Sequence, residues 1–141
     1  MKDDIRRLAR LRRLEKIRAI ARQNAALEAA QAESTLSRLR DLSDRTRRMA
    51  DDYGSRREMR DGAALHQVGR FVGGLQAIRR TTDGDTLRAR AIADAKQQLL
   101  AEAERRRAAV EERAILQERS IAKAGKTPAL GSRKRSGTGL E

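Results

Sequence analysis

The chain has 141 residues, of which 38% are charged and 1% aromatic, and it carries a net charge of +13. That length holds one domain at most, and the prevalence of Ala, Arg, Leu and Glu is the profile of long helices or coiled coils rather than of a large globular core. The absence of cysteine excludes disulfides, thiolate chemistry and Cys-based zinc sites, and a single histidine excludes a His-based metal site or a catalytic triad.

The positive charge is unevenly placed. Residues 1–22 hold nine Lys/Arg against three Asp/Glu, and residues 123–141 hold five against one. The hundred residues between them hold nineteen against sixteen. No apolar run approaches the roughly 18 residues of a membrane span. The N-terminus lacks the uninterrupted apolar segment of a secretory signal, and Asp3, Asp4 and Glu15 argue against a targeting peptide.

In chain order, Asp3 or Asp4 is expected to cap a first helix over about residues 4–53. Ile5, Leu8, Leu11, Leu14, Ile17 and Ile20 follow at intervals of three. Three residues turn an α-helix by about 300°, so this line winds round the helix instead of forming one stripe. It reads either as a coiled-coil start with extra leucines or as a helix end embraced from several sides. Ala25, Ala26, Ala29, Ala30 and Ala32 favour helix and permit close approach. Leu36, Leu39, Leu42, Met49 and Tyr53 resume the apolar pattern, and the steps from 42 to 49 to 53 suit a heptad seam.

Gly54 is expected to end this helix, and Asp61-Gly62 is a strong turn dipeptide within a tip at about 54–64. Arms of similar length on either side predict an antiparallel helical hairpin. The second helix is expected over about 65–122. Leu65, Val68, Val72 and Leu75 mark one helical face, which Phe71 and Ile78 widen. Gly69, Gly73 and Gly74 weaken this part of the helix, by about 1 kcal/mol each relative to Ala. Either a close neighbour compensates, or the segment is a weak joint. Thr81-Thr82-Asp83-Gly84-Asp85 predicts a kink or short break. Ile92, Leu99, Ala103 and Val110 continue the pattern, and Ile115, Leu116 and Ile121 close it. Residues 123–141, rich in Gly, Ser, Lys and Arg, are expected to be a flexible basic tail. The fold class is therefore all-α: an elongated antiparallel two-helix coiled-coil hairpin over 3–122, followed by a disordered tail.

No catalytic chemistry is encoded. The carboxylates sit beside arginines, as in Glu102-Ala103-Glu104-Arg105-Arg106-Arg107, and Gly69–Gly74 lacks the sequence of a phosphate loop. The chain is expected to act by binding, without a cofactor or metal. Arg6, Arg7, Arg10, Arg12, Arg13 and Arg18 form a patch that attracts phosphates without specificity, although aromatic stacking residues and nucleic-acid motifs are missing. A basic helical adaptor for nucleic acid or an anionic surface is one reading.

The other rests on a resemblance. The basic amphipathic first helix, the Gly-containing middle followed by Phe71-Val72-Gly73-Gly74-Leu75-Gln76-Ala77-Ile78, and the late Leu116-Gln117-Glu118-Arg119 resemble the FliJ family of the bacterial flagellar type III export apparatus. The likeness spans roughly residues 5–122. It departs from the family at Gly73-Gly74, at 81–85 and in the few tyrosines of helix one. The resemblance implies a two-helix stalk that joins the hexameric flagellar export ATPase to the cytoplasmic domain of the export gate. It also implies assistance to export chaperones, and a cytoplasmic location peripheral to the inner membrane through those partners, with no specific nucleic acid. Phe71 and Leu75 match positions the family uses toward the gate, and Leu42 and Met49 fall on the neighbouring face of helix one. The mixed apolar and basic N-terminal segment is expected to enter the ATPase ring through Leu8, Leu11, Leu14, Ile17, Arg10 and Arg13.

Overall fold

The computed structural model describes residues 1–55 and 62–135, with side chains described as far as Lys126. Two helices account for nearly all of it: α1 spans Lys2–Ser55 and α2 spans Gly62–Arg135. The two pack against each other as an all-α hairpin. Asp61, the first residue of the expected turn, and residues 56–60 lie outside the described residues, as do residues 136–141.

The α1 start differs from the sequence expectation. The helix opens at Lys2, and the Ile5 amide donates to the Met1 carbonyl at 3.1 Å. Asp3 and Asp4 therefore lie in the first turn rather than at the cap, where their charge still suits the positive end of the helix dipole. Asp4 also stands 3.8 Å from the terminal ammonium.

The break expected at Thr81–Asp85 does not occur, because α2 passes through it as one helix. The hydroxyls that usually draw threonine into turns are used inside the helix instead. Thr81, Thr82 and Thr86 donate to the carbonyls of Ala77, Ile78 and Thr82 at 3.2, 2.8 and 2.7 Å. Asp83 accepts from the Ser43 hydroxyl of α1 at 2.6 Å, and Asp85 pairs with Arg88. The helix also continues beyond the boundary expected near residue 122, to Arg135. Ala122, Lys123 and Ala124 are good helix formers that carry it forward.

The chain divides into two units. The first holds residues 1–25 and 99–141, and the second holds residues 26–98. In the second unit, Ala29, Leu36, Thr46 and Ala50 of α1 are buried, with Ala32, Leu39, Ser43 and Tyr53 half-buried between them. On α2 the buried positions are Leu75, Thr82, Ala89 and Ala93. The α1 set advances in alternating steps of three and four, and so does the α2 set once the half-buried Val72, Arg79 and Thr86 are included, which is the period of a helix–helix seam. Leu36, Ala89 and Ala93 form the core cluster, with Ala32 and Leu39 against it. Within this unit the two helices run antiparallel: Glu28 meets Lys96, Ser43 meets Asp83 and Tyr53 meets Phe71. In the first unit Val110 and Ala114 are buried, and Leu8, Leu11 and Ile121 are half-buried.

This seam corrects the one read from the leucines. Leu42, Met49, Ile92 and Leu99 all remain about half exposed, and smaller neighbours occupy the contact line. Small side chains let two helices approach closely, and the large ones then fit only on the flanks.

Candidate partner-binding surfaces

The residues expected to meet partners fall into two groups, one in each unit. In the second unit, Leu75 is 8% exposed, so it is a seam residue and not part of an outer surface. Phe71, four residues earlier, is 47% exposed. The two do not form the common docking face expected from their spacing, because the seam runs along one edge of that face. Leu42 and Met49 are exposed like Phe71, and the antiparallel register puts them on the helix opposite Phe71 and Ile78. The ring of Phe71 stands edge-on to Tyr53, with centroids 4.8 Å apart and planes at 73°. Beside them lies a hollow of about 340 Å³ lined by Tyr53, Ala64, Gln67, Val68 and Phe71. Tyr53 was legible as a seam residue, but its pairing with Phe71 needed the register of the hairpin.

In the first unit, Leu8, Leu11 and Leu14 are half-buried, whereas Ile17 is 62% exposed. The winding apolar line of the sequence is therefore divided between the intrachain seam and solvent. Arg10 and Arg13 are exposed and make no ion pair with the described residues. Arg12 is different. It reaches Glu15 at 2.9 Å and Glu118 of α2 at 2.8 Å, and the hydrogen bond to Glu15 holds its pKa above the usual arginine value. Arg22 faces Glu104 at 3.6 Å, and Gln117 donates to Asp4 at 3.3 Å. A second hollow, of about 360 Å³, combines both chemistries: Arg7, Leu11, Arg113, Leu116 and Gln117 line it.

Arg18 and Arg107 add a feature that composition did not reveal. Both lie on the seam side of their helices, and the Nε of each is buried without a hydrogen-bond partner. On α1, Arg18 falls between Arg12 and Arg22, which are paired with Glu118 and Glu104. On α2, Arg107 falls between those same two glutamates, so two like charges share one stretch of the contact. Only the paired register of the helices exposes this conflict.

Among the described residues, no group of three or more His, Cys, Asp or Glu side chains is placed to hold a metal ion. No helix among them is long and apolar enough to cross a membrane. No protein-family model, curated protein or solved structure matches the chain. The fold and these surfaces define a class, an all-α helical hairpin with one basic apolar surface in the first unit and one apolar surface in the second.

Proposed function

We propose that the chain is a non-enzymatic coiled-coil component of the bacterial flagellar type III export apparatus, similar to the FliJ family. In this reading it acts on the cytoplasmic side of the inner membrane. It joins the hexameric export ATPase to the cytoplasmic domain of the export gate, and assists chaperone and substrate traffic. The observation that carries the reading is the pairing of two chemically distinct surfaces on one hairpin. The first unit presents Arg10, Arg13 and Ile17 outward, with the groove at Leu11 and Leu116 beside them. Exposed isoleucine among arginines suits a channel that offers both apolar and acidic groups. The second unit presents Phe71, Leu42 and Met49 to the gate, and Leu75 supports Phe71 from the seam.

Affinity capture from the source cell, with the intact chain as bait, tests the reading. Recovery of the export ATPase and an export-gate subunit supports it. Ile17→Gln is the sharper probe of the first surface, because Ile17 is exposed whereas Leu8, Leu11 and Leu14 also hold the hairpin together. Loss of ATPase recovery with Ile17→Gln, at unchanged helicity, is the expected result; recovery equal to that of the parent counts against the proposal.

A second reading, a basic adaptor for nucleic acid or another anionic surface, is favoured by the unpaired Arg10 and Arg13. Under it, Arg10→Gln with Arg13→Gln weakens binding and flattens its salt dependence, while Ile17→Gln does little.

A further inference from the structure

We propose that the second unit pairs with a second copy of this chain along a stripe of large apolar side chains that flanks its seam. The stripe consists of Phe71, Ile78 and Ile92 on α2, with Leu42 and Met49 on the facing side of α1. Each is between 45% and 55% exposed. Phe71 to Ile78 and Leu42 to Met49 are steps of seven, and Ile92 lies two such steps beyond Ile78, so the stripe keeps the period of the intrachain seam beside it.

The arrangement is physically incomplete as a single hairpin. Its core in this unit is mostly alanine with Leu36 and Leu75, while the larger side chains stand outside it. Exposed apolar side chains that recur at heptad steps beside an existing helix contact, here with Asp85 at the step between Ile78 and Ile92, mark an interaction surface, and doubling a two-helix hairpin gives a four-helix bundle in which those side chains become core.

Charge selects the occupant. Residues 26–98 hold fourteen Lys/Arg against eleven Asp/Glu, a net +3, whereas the first unit holds nineteen against nine, a net +10. Two copies therefore repel little along the second unit and strongly along the first. On the stripe itself the intervening charge is paired within the chain, Asp85 with Arg88, as is Glu28 with Lys96, while Arg38 and Arg45 flank Leu42 and Met49 without an ion pair among the described residues. Gly74 on the same side of α2 has nothing within 4 Å of where a Cβ would stand, which leaves room for another helix to come close. A self-complementary contact of this kind closes as a two-fold dimer.

The inference goes beyond the export reading and does not require it. It does engage Phe71, Leu42 and Met49, so pairing and gate docking exclude each other, and the free protein keeps that surface covered.

Light scattering coupled to size exclusion on the full chain, without any partner, provides the test. At roughly 100 µM, and in enough salt to screen the first units, the parent should run at twice its 15.8 kDa mass. Ile78→Gln with Ile92→Gln should shift it to the mass of one chain at unchanged helicity. Leu87→Gln changes a side chain that is 71% exposed but lies on another face of α2, and it should leave the double mass intact. A parent at single-chain mass under these conditions overturns the proposal. So does dissociation by Leu87→Gln as complete as by the stripe variant, or a larger assembly that the stripe variant does not dissolve.

Discussion

Tyr53 and Phe71 meet edge to face across the hairpin, one near the end of α1 and the other in the early turns of α2, with ring centroids 4.8 Å apart. They are the chain's single tyrosine and single phenylalanine. Their meeting fixes the register of the two helices close to the turn, and it orients the ring that the proposed gate surface presents. Such pairs contribute about 0.5–1.5 kcal/mol beyond the area they bury. A double-mutant cycle with Tyr53→Leu and Phe71→Leu, read by chemical denaturation, should return a coupling in that range. Strict additivity would show that the rings do not stabilise each other.

The seam assignment yields a sharp contrast between two leucines. Leu36 is 4% exposed in the core cluster, whereas Leu42 stands on the flank. Leu36→Ala should cost about 2–3 kcal/mol, the low end for a buried leucine because the surrounding core is shallow. In dilute protein Leu42→Ala should change stability by less than about 0.5 kcal/mol. Equal losses from the two would mean that the seam lies on the other stripe.

Gly69 and Gly73 sit inside α2, and a Cβ built at either would meet nothing within 4 Å. Neither lies on the stripe beside Phe71 and Ile78. Gly69→Ala and Gly73→Ala should therefore each stabilise the free hairpin, by about 1 kcal/mol, through helix propensity alone. Thermal melts at low protein concentration measure this. A lowered melting temperature in both would indicate that these glycines serve a contact the free chain does not make.

Arg18 and Arg107 place shielded Nε donors without acceptors along the first unit's contact. An unmet buried donor and a nearby like charge both oppose folding. Arg18→Met keeps the length of the aliphatic stem and removes the charge, so it should stabilise the hairpin by about 1 kcal/mol. The gain should shrink in high salt, where the repulsion is already screened. A destabilised Arg18→Met protein would show that the guanidinium is satisfied by water and holds the contact together.

Much of the fold could be read from residue types. Alanine, leucine, arginine and glutamate recur through both arms, no alternating strand pattern competes, and the Asp61-Gly62 dipeptide divides the chain into comparable helices. Two departures came from local hydrogen bonding. Thr81, Thr82 and Thr86 resemble turn residues by composition, yet in the helix their hydroxyls return to carbonyls one turn back, which removes the reason for a break. Asp3 and Asp4, read as caps, entered the first turn because the Met1 carbonyl could accept the first helical bond.

The helical state and the hairpin were thus determined by the sequence, since propensity and turn chemistry act over a few residues. The face of each helix turned inward was decided by tertiary structure. Large apolar residues occur at several angles around both helices, so no single periodic line is unique within one arm. The contact must satisfy both arms at once, and a line of alanine with Leu36, Thr46 and Thr82 does so while Glu28–Lys96 and Ser43–Asp83 join across it. Leu42, Met49, Ile78 and Ile92 are left outside for the same reason, because their bulk would hold the helices apart. That choice turned Leu75 from a docking residue into a seam residue and left Phe71 at the surface.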